Sequence, residues 1–171
     1  MDARKDSEPN PTKNRTTVEP KSEREIVVTR TFDAPARIVF QAWTTPALFK
    51  RWWVPKSMPL SLLSYEADIR TGGGYRLVFG VDGTKRMEFF GKYIEVTPHS
   101  RIVWTNDESG EDGAVTTVTL EEKGDKTLMV LRELFRSKEA RDAALASGAY
   151  NGMDETFAQL DEVLVTLGAT S

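Results

Sequence analysis

The chain has no cysteine and a single histidine, His99, in 171 residues. Without thiols there can be no disulfide, no thiolate nucleophile and no cysteine–zinc site. One imidazole cannot make an HExxH pair or any multi-histidine metal centre, so no metal or other cofactor is expected. A dominant charge is missing too. Lys and Arg number 23 against 26 Asp and Glu, a net charge of −3, and the signs are interspersed without a basic run. Nucleic acid is therefore not an expected partner. No apolar stretch approaches the ~20 residues needed to cross a bilayer, and the N-terminus carries no apolar signal core. The expectation is a cytoplasmic protein with no membrane insertion.

Apolar residues are also scarce in the first 22 positions, where Pro9, Pro11 and Pro20 interrupt a run of polar residues. Such a segment buries too little surface to offset its ordering entropy. Residues 1–22 read as a flexible N-terminal tail, and 23–171 as one domain.

What is present is patterned. Residues 24–33, rich in Ile, Val, Thr and Phe, read as a strand. Pro35 can open a helix, with Ile38, Val39, Ala42 and Trp43 at helical spacing. Pro46 opens a second short helix that Val54-Pro55 ends. From residue 61 the period becomes two: Leu63, Tyr65, Ala67 and Ile69 alternate with Ser64, Glu66, Asp68 and Arg70. Tyr75, Leu77, Phe79 and Val81 continue it after a glycine turn. Asp82-Gly83 marks a hairpin, Met87 and Phe89 follow, and the alternation slips at Tyr93-Ile94, which predicts a bulge. Strands over 102–105, 115–120 and 127–134 complete the run, with a last hairpin at Gly124-Asp125. Helical spacing returns after Ser137 and breaks at Ser147-Gly148. Met153, Phe157, Leu160, Leu164 and Leu167 then fall on one helical face. That face needs a partner, and the apolar side of the strand meander is the large one on offer. The fold class is α+β: a curved antiparallel sheet of six or seven strands, with two short helices, wrapped around a long C-terminal helix.

Few residues invite chemistry. Thr71-Gly72-Gly73-Gly74 lacks the Lys-Ser/Thr of a phosphate loop and is followed by a strand, so it reads as a bend. Asp68 and Arg70 share a strand face and read as a solvent pair. His99 follows Pro98 in a turn and reads as a solvated loop residue. Glu133 stands alone in the apolar run from Leu131 to Phe135. Facing a cavity, its pKa would rise and it could serve as an acid. No base or nucleophile is marked to join it, so the chain does not read as an enzyme and no catalytic residue is assigned.

The ordered motifs carry a resemblance. Phe32-Asp33-Ala34-Pro35 leads into Ile38 to Trp43. Arg51-Trp52-Trp53-Val54-Pro55, Asp68 to Arg76 with its three glycines, and Gly91-Lys92-Tyr93-Ile94-Glu95-Val96-Thr97-Pro98 follow. Gly152-Met153 then opens the last helix. Together, over roughly residues 24–168, they resemble the START-like (SRPBCC) superfamily, in the branch similar to the C-terminal domain of the activator of heat-shock protein 90 ATPase. The resemblance implies a helix-grip (START/Bet v-like) fold around an apolar cavity, closed at one end by the two short helices. By it, Phe49 and Trp52 are wall residues. Strand alternation adds Tyr65, Ala67, Tyr75, Leu77, Phe89 and Trp104, since Glu66, Asp68, Arg76, Glu88 and Lys92 take the wet face. The helical stripe adds Met153 and Phe157. Many family members have Trp where Met153 stands here. The implied function is binding of a small hydrophobic or aromatic ligand, lipids included. The alternatives are a co-chaperone-like domain acting on a heat-shock chaperone, and a cyclase, aromatase or hydrolase working inside the cavity. The expected partner is a small apolar molecule, a chaperone being the alternative, and the fold leaves room for a homodimer.

Overall fold

Alternating burial along eight segments produces one antiparallel sheet in this computed structural model, which describes residues 16–170 except 84 and 149. The strands are β1 (Thr17–Pro20), β2 (Glu25–Phe32), β3 (Leu60–Ala67), β4 (Gly74–Val81), β5 (Lys85–Thr97), β6 (Arg101–Thr105), β7 (Val115–Lys123) and β8 (Lys126–Leu134). Their spatial order is β1-β2-β8-β7-β6-β5-β4-β3. The helices are α1 (Ala36–Thr44), α2 (Pro46–Trp52), α3 (Lys138–Ala146) and α4 (Met153–Thr170).

Two expectations need correction. Of the supposed tail, residues 1–15 lie outside the described residues, but Thr17–Pro20 is a strand that pairs with β2 from Thr17↔Thr29 to Pro20↔Ile26. It makes the eighth strand, where six or seven were expected. Main-chain pairing needs no apolar side chain, and Val18 alone packs on the core here. Pro20 is tolerated because β1 is an edge strand with one neighbour. The second correction is in β3, where the register shifts between Leu62 and Ser64. This bulge turns Leu62 toward the core and leaves Leu63 51% exposed, opposite to simple alternation from Tyr65.

The slip read at Tyr93-Ile94 is a bulge, between Tyr93 and Glu95. The glycine turn is pinned beside it. Gly72 N–H donates to the Tyr93 carbonyl at 2.9 Å, and Tyr93 N–H donates to the Gly73 carbonyl at 2.8 Å. A Cβ on Gly73 would fall 1.9 Å from the Asp68 carbonyl oxygen, so no side chain fits there. Asp82 and Gly83 turn the β4–β5 hairpin with φ of 53° and 74°. Asp68 and Arg70 form an exposed pair at 2.9 Å.

The helices cover one wing of the sheet. α1 packs on β7 and β8, and α2 packs on β3, α1 and α4. α4 turns Phe157, Leu160, Val163 and Leu164 inward, all buried, as its spacing predicts. Phe157 meets Phe32 edge-on at 5.8 Å. Below them Arg30, 4% exposed, forms a two-pronged ion pair with Asp161 at 3.0 and 2.8 Å. It also donates to the Phe157 carbonyl at 3.1 Å. On the other side of α4, the buried Gln159 fastens the chain leaving α2. Its Nε2 donates to the carbonyls of Trp52 and Val54, each at 2.9 Å, and its Oε1 accepts from Lys56 N–H at 2.9 Å. No helix among the described residues is long and apolar enough to cross a membrane.

Candidate functional site: an aromatic cavity with an acidic end

Because the helices cover only part of the concave face, a hollow remains between β3–β8, α4 and the short helices. Its volume is about 620 Å³, within the ~300–1,000 Å³ of small-molecule pockets. Of the residues expected there, Phe49, Tyr65, Tyr75, Leu77, Phe89, Trp104, Met153 and Phe157 line it. Trp52 and Ala67 do not.

Trp52 is fully buried among Trp43, Phe49 and Phe157, and its indole N–H donates to the Ala42 carbonyl at 3.1 Å. The wall position belongs to Trp53. One residue further along a helix turns ~100° around its axis, and Trp53 lies four residues after Phe49, on the same face. Their rings stack at 4.7 Å. Ala67 pairs with Tyr75 on the edge strand β3, and its single methyl does not border the hollow. Sequence reasoning also passed over Trp43, Tyr93, Thr116 and Tyr150, all of which line it. Trp43 is the hub of the aromatic end, with Trp53 at 6.0 Å and Trp104 at 5.9 Å.

Register places the polar end. Tyr93, Trp104, Thr116 and Glu133 are successive partners across β5, β6, β7 and β8. All four line the hollow. Three strand spacings of ~4.8 Å put roughly 14 Å between the ends of this row. Glu133 accepts from Thr116 Oγ1 at 3.0 Å and, through its other oxygen, from the Tyr150 hydroxyl. Asn106 Nδ2 donates to Thr116 Oγ1 at 2.9 Å and to the Ala114 carbonyl at 2.7 Å. The Tyr75 hydroxyl donates to the Thr105 carbonyl at 2.7 Å. Glu108 lines the same end, and one of its carboxylate oxygens accepts from Phe90 N–H at 3.1 Å.

Burial pushes the Glu133 pKa up. The hydrogen bonds from Tyr150 and Thr116 oppose the rise, and the Glu108 charge adds to it. Burial also raises the tyrosines. Tyr65 is pushed up to about 12, and Tyr150 rises further because it faces Glu133 as well. These phenols stay neutral donors at any ordinary pH. At the aromatic end the Trp43 indole N–H has no hydrogen-bond partner among the described residues. A buried donor left so costs ~1–3 kcal/mol. The described residues hold no group of three His, Cys, Asp or Glu that could bind a metal. The arrangement can enclose an apolar body and engage one polar head at Glu133.

The family model for Activator of Hsp90 ATPase homolog 1-like protein matches residues 33–165. The chain belongs to this family. Solved structures agree on the fold. A protein from Rhodobacter sphaeroides superposes with a TM-score of 0.81 at 23% identity, over 90% of this chain and 99% of that one. A protein from Nitrosomonas europaea gives 0.77 at 24% identity, over 88% and 99%. A protein from Staphylococcus epidermidis gives 0.70 at 25% identity, over 88% and 94%. A search of curated proteins returned no match. The family and these structures establish the helix-grip architecture, with its antiparallel sheet and a long C-terminal helix packed on it.

Proposed function

We propose that this family member binds a small hydrophobic or aromatic molecule in the hollow. The observation that carries the reading is the wall itself. Rings of Phe49, Trp53, Tyr65, Tyr75, Phe89 and Trp104 border one continuous space, although the rest of the concave face is closed by helices. Apolar surface kept open inside a fold forfeits ~25 cal/mol per Å² that packing would otherwise return, and a bound apolar molecule recovers it. Selection comes from shape and ring contact, with the Glu133 end fixing orientation.

The test is a titration with an apolar fluorescent probe, together with native mass spectrometry of protein purified from its own host. Saturable binding is expected, and Leu77→Trp, which fills the space opposite Tyr65 and Phe89, should abolish it while the thermal transition stays cooperative. Absence of probe binding by the parent protein, or equal binding by the variant, overturns the reading. The alternative is a co-chaperone-like domain acting on a chaperone ATPase. It has the family description behind it and becomes the reading to pursue in that event.

A further inference from the structure

The lining of the hollow is unbalanced in charge. Among the described residues it contains two carboxylates, Glu108 and Glu133, and no lysine, arginine or histidine. An apolar pocket built for fatty acids or other organic anions would place a cation at its polar end. This one places an acid where burial most disfavours charge.

The hydrogen-bond directions sharpen the point. Asn106 Nδ2 donates a hydrogen bond to Thr116 Oγ1 at 2.9 Å. The Thr116 hydroxyl hydrogen is therefore free to point at Glu133, 3.0 Å away. Tyr150 donates from the other side. Both oxygens of Glu133 are thus approached by donors, which partly offset the burial that disfavours the carboxylate, and a cation would complete the offset. An ionised carboxylate has about four lone-pair positions, of which these donors use two. The others are left to whatever enters the hollow, and no cation of the wall competes for them.

The aromatic half agrees. Trp43, Trp53 and Trp104 line it, and tryptophan is the ring type with the strongest attraction for organic cations. The two ends of the Tyr93–Glu133 row therefore select for the same sign of charge.

We infer that the hollow takes an aromatic or aliphatic amine, bound as the ammonium ion, with its head on Glu133 and its apolar body between the tyrosine and tryptophan rings. This rests on the proposed function, since it names the ligand class for that same space. Rejection of carboxylates is part of it, because an organic acid would meet Glu108 and Glu133 with no counter-charge.

Three probes of one shape decide it: 2-naphthylmethylamine, 2-naphthalenemethanol and 2-naphthoic acid. Each is titrated by calorimetry into the full chain at neutral pH. The amine should bind at least tenfold tighter than the alcohol, and the acid should be the weakest of the three. Glu133→Gln should shrink the amine-to-alcohol ratio to about twofold, and Tyr150→Phe should leave a clear amine preference. Should Glu133→Gln fail to fold, the ranking in the parent protein still decides. If the alcohol or the acid binds as tightly as the amine, the amine inference falls while the binding function stands. If none of the three binds, and the apolar fluorescent probe also fails, both fall.

Discussion

On the wing of the sheet formed by β2, β8 and β7, the inward side chains are sealed except at the acidic end, where Thr116, Leu131 and Glu133 reach the hollow. Val28, Val118 and Met129 are inaccessible. On the wing formed by β3, β4 and β5, the inward side chains Tyr65, Tyr75 and Phe89 are equally apolar in pattern, but they are only half-buried and border the hollow. Both wings pair antiparallel with alternating faces, interrupted only by the bulges in β3 and β5. The difference is what lies above them. α1 packs on β7 and β8, while on the other wing the short α2 reaches the sheet at β3 and a 3-10 helix, Asp107–Asp112, reaches it at β5. Alternation therefore tells which face of a strand is dry, and helix length and placement tell whether that dryness comes from packing or from an empty space.

The contrast is open to attack at several points. The largest effect is expected on the sealed wing. Phe157→Ala or Leu160→Ala should each cost ~2–5 kcal/mol in urea unfolding, the range for large-to-small changes in a closed core. Losses below ~1 kcal/mol at both positions would show that α4 does not seal this wing.

Next comes the ion pair under α4. Asp161→Ala leaves the buried Arg30 with its Phe157 carbonyl bond but without its carboxylate. Breaking a fully buried pair costs ~3–5 kcal/mol. Asp161 is 39% exposed, so screening should reduce the loss to about 1–3 kcal/mol. A stability unchanged within ~0.5 kcal/mol would make the pair decorative.

On the open wing, Phe89→Ala should cost less than ~2 kcal/mol, because one side of the ring already faces space rather than packed atoms. It should nonetheless weaken probe binding more than Phe157→Ala weakens it per unit of stability lost. Equal stability losses at Phe89 and Phe157 would erase the distinction between the wings.

The smallest effect is in pH dependence. The folded-state pKa of Glu133 lies above its ordinary 4.5, so the folded protein holds this proton more tightly than the unfolded chain does. Stability then falls as pH rises from the ordinary carboxylate range through the raised value. Glu133→Gln removes that contribution. The stability difference, parent minus variant, should decline in thermal unfolding as pH rises above the ordinary carboxylate range. Identical pH profiles would mean that Glu133 is not held in a poorly solvated place.

Much of this was legible beforehand, for identifiable reasons. Pro35 and Pro46 announce α1 and α2 because proline suits the start of a helix, at the cap of α1 and in the first turn of α2. Asp82-Gly83 announces the β4–β5 hairpin because its turn needs left-handed backbone, and the Tyr93-Ile94 slip shows as a break in parity. The stripe from Met153 to Leu164 announces the inner face of α4. Other features leave no such trace. β1 is held by main-chain pairing, so its polar composition looks like that of a tail. Trp52 and Trp53 differ by a single step around a helix end, and where that helix stops decides which one is core and which is wall. Gln159 looks like part of the wet face of α4, since only the geometry of the chain leaving α2 shows that three of its bonds go to main-chain groups. Tyr150 lies between two breaks in periodicity, where pattern carries no information, and so the acidic end of the cavity was visible only as a lone Glu133.

The bulges at Leu63 and Ile94 bear on how such a chain tolerates a change in its length. Each contributes one surplus residue, apolar and 51% exposed. At each, the inward parity switches: Leu62 precedes Tyr65, and Tyr93 precedes Val96. Deleting Ile94 would bring Tyr93 and Val96 two residues apart, the natural interval for one face of a strand. Every other side chain would keep its face, and the strand would lose the bend that a bulge imposes. Single-residue insertion and deletion at these two points is therefore a dial on sheet curvature, through which descendants of one sequence could enlarge or flatten the hollow while keeping the composition of their core.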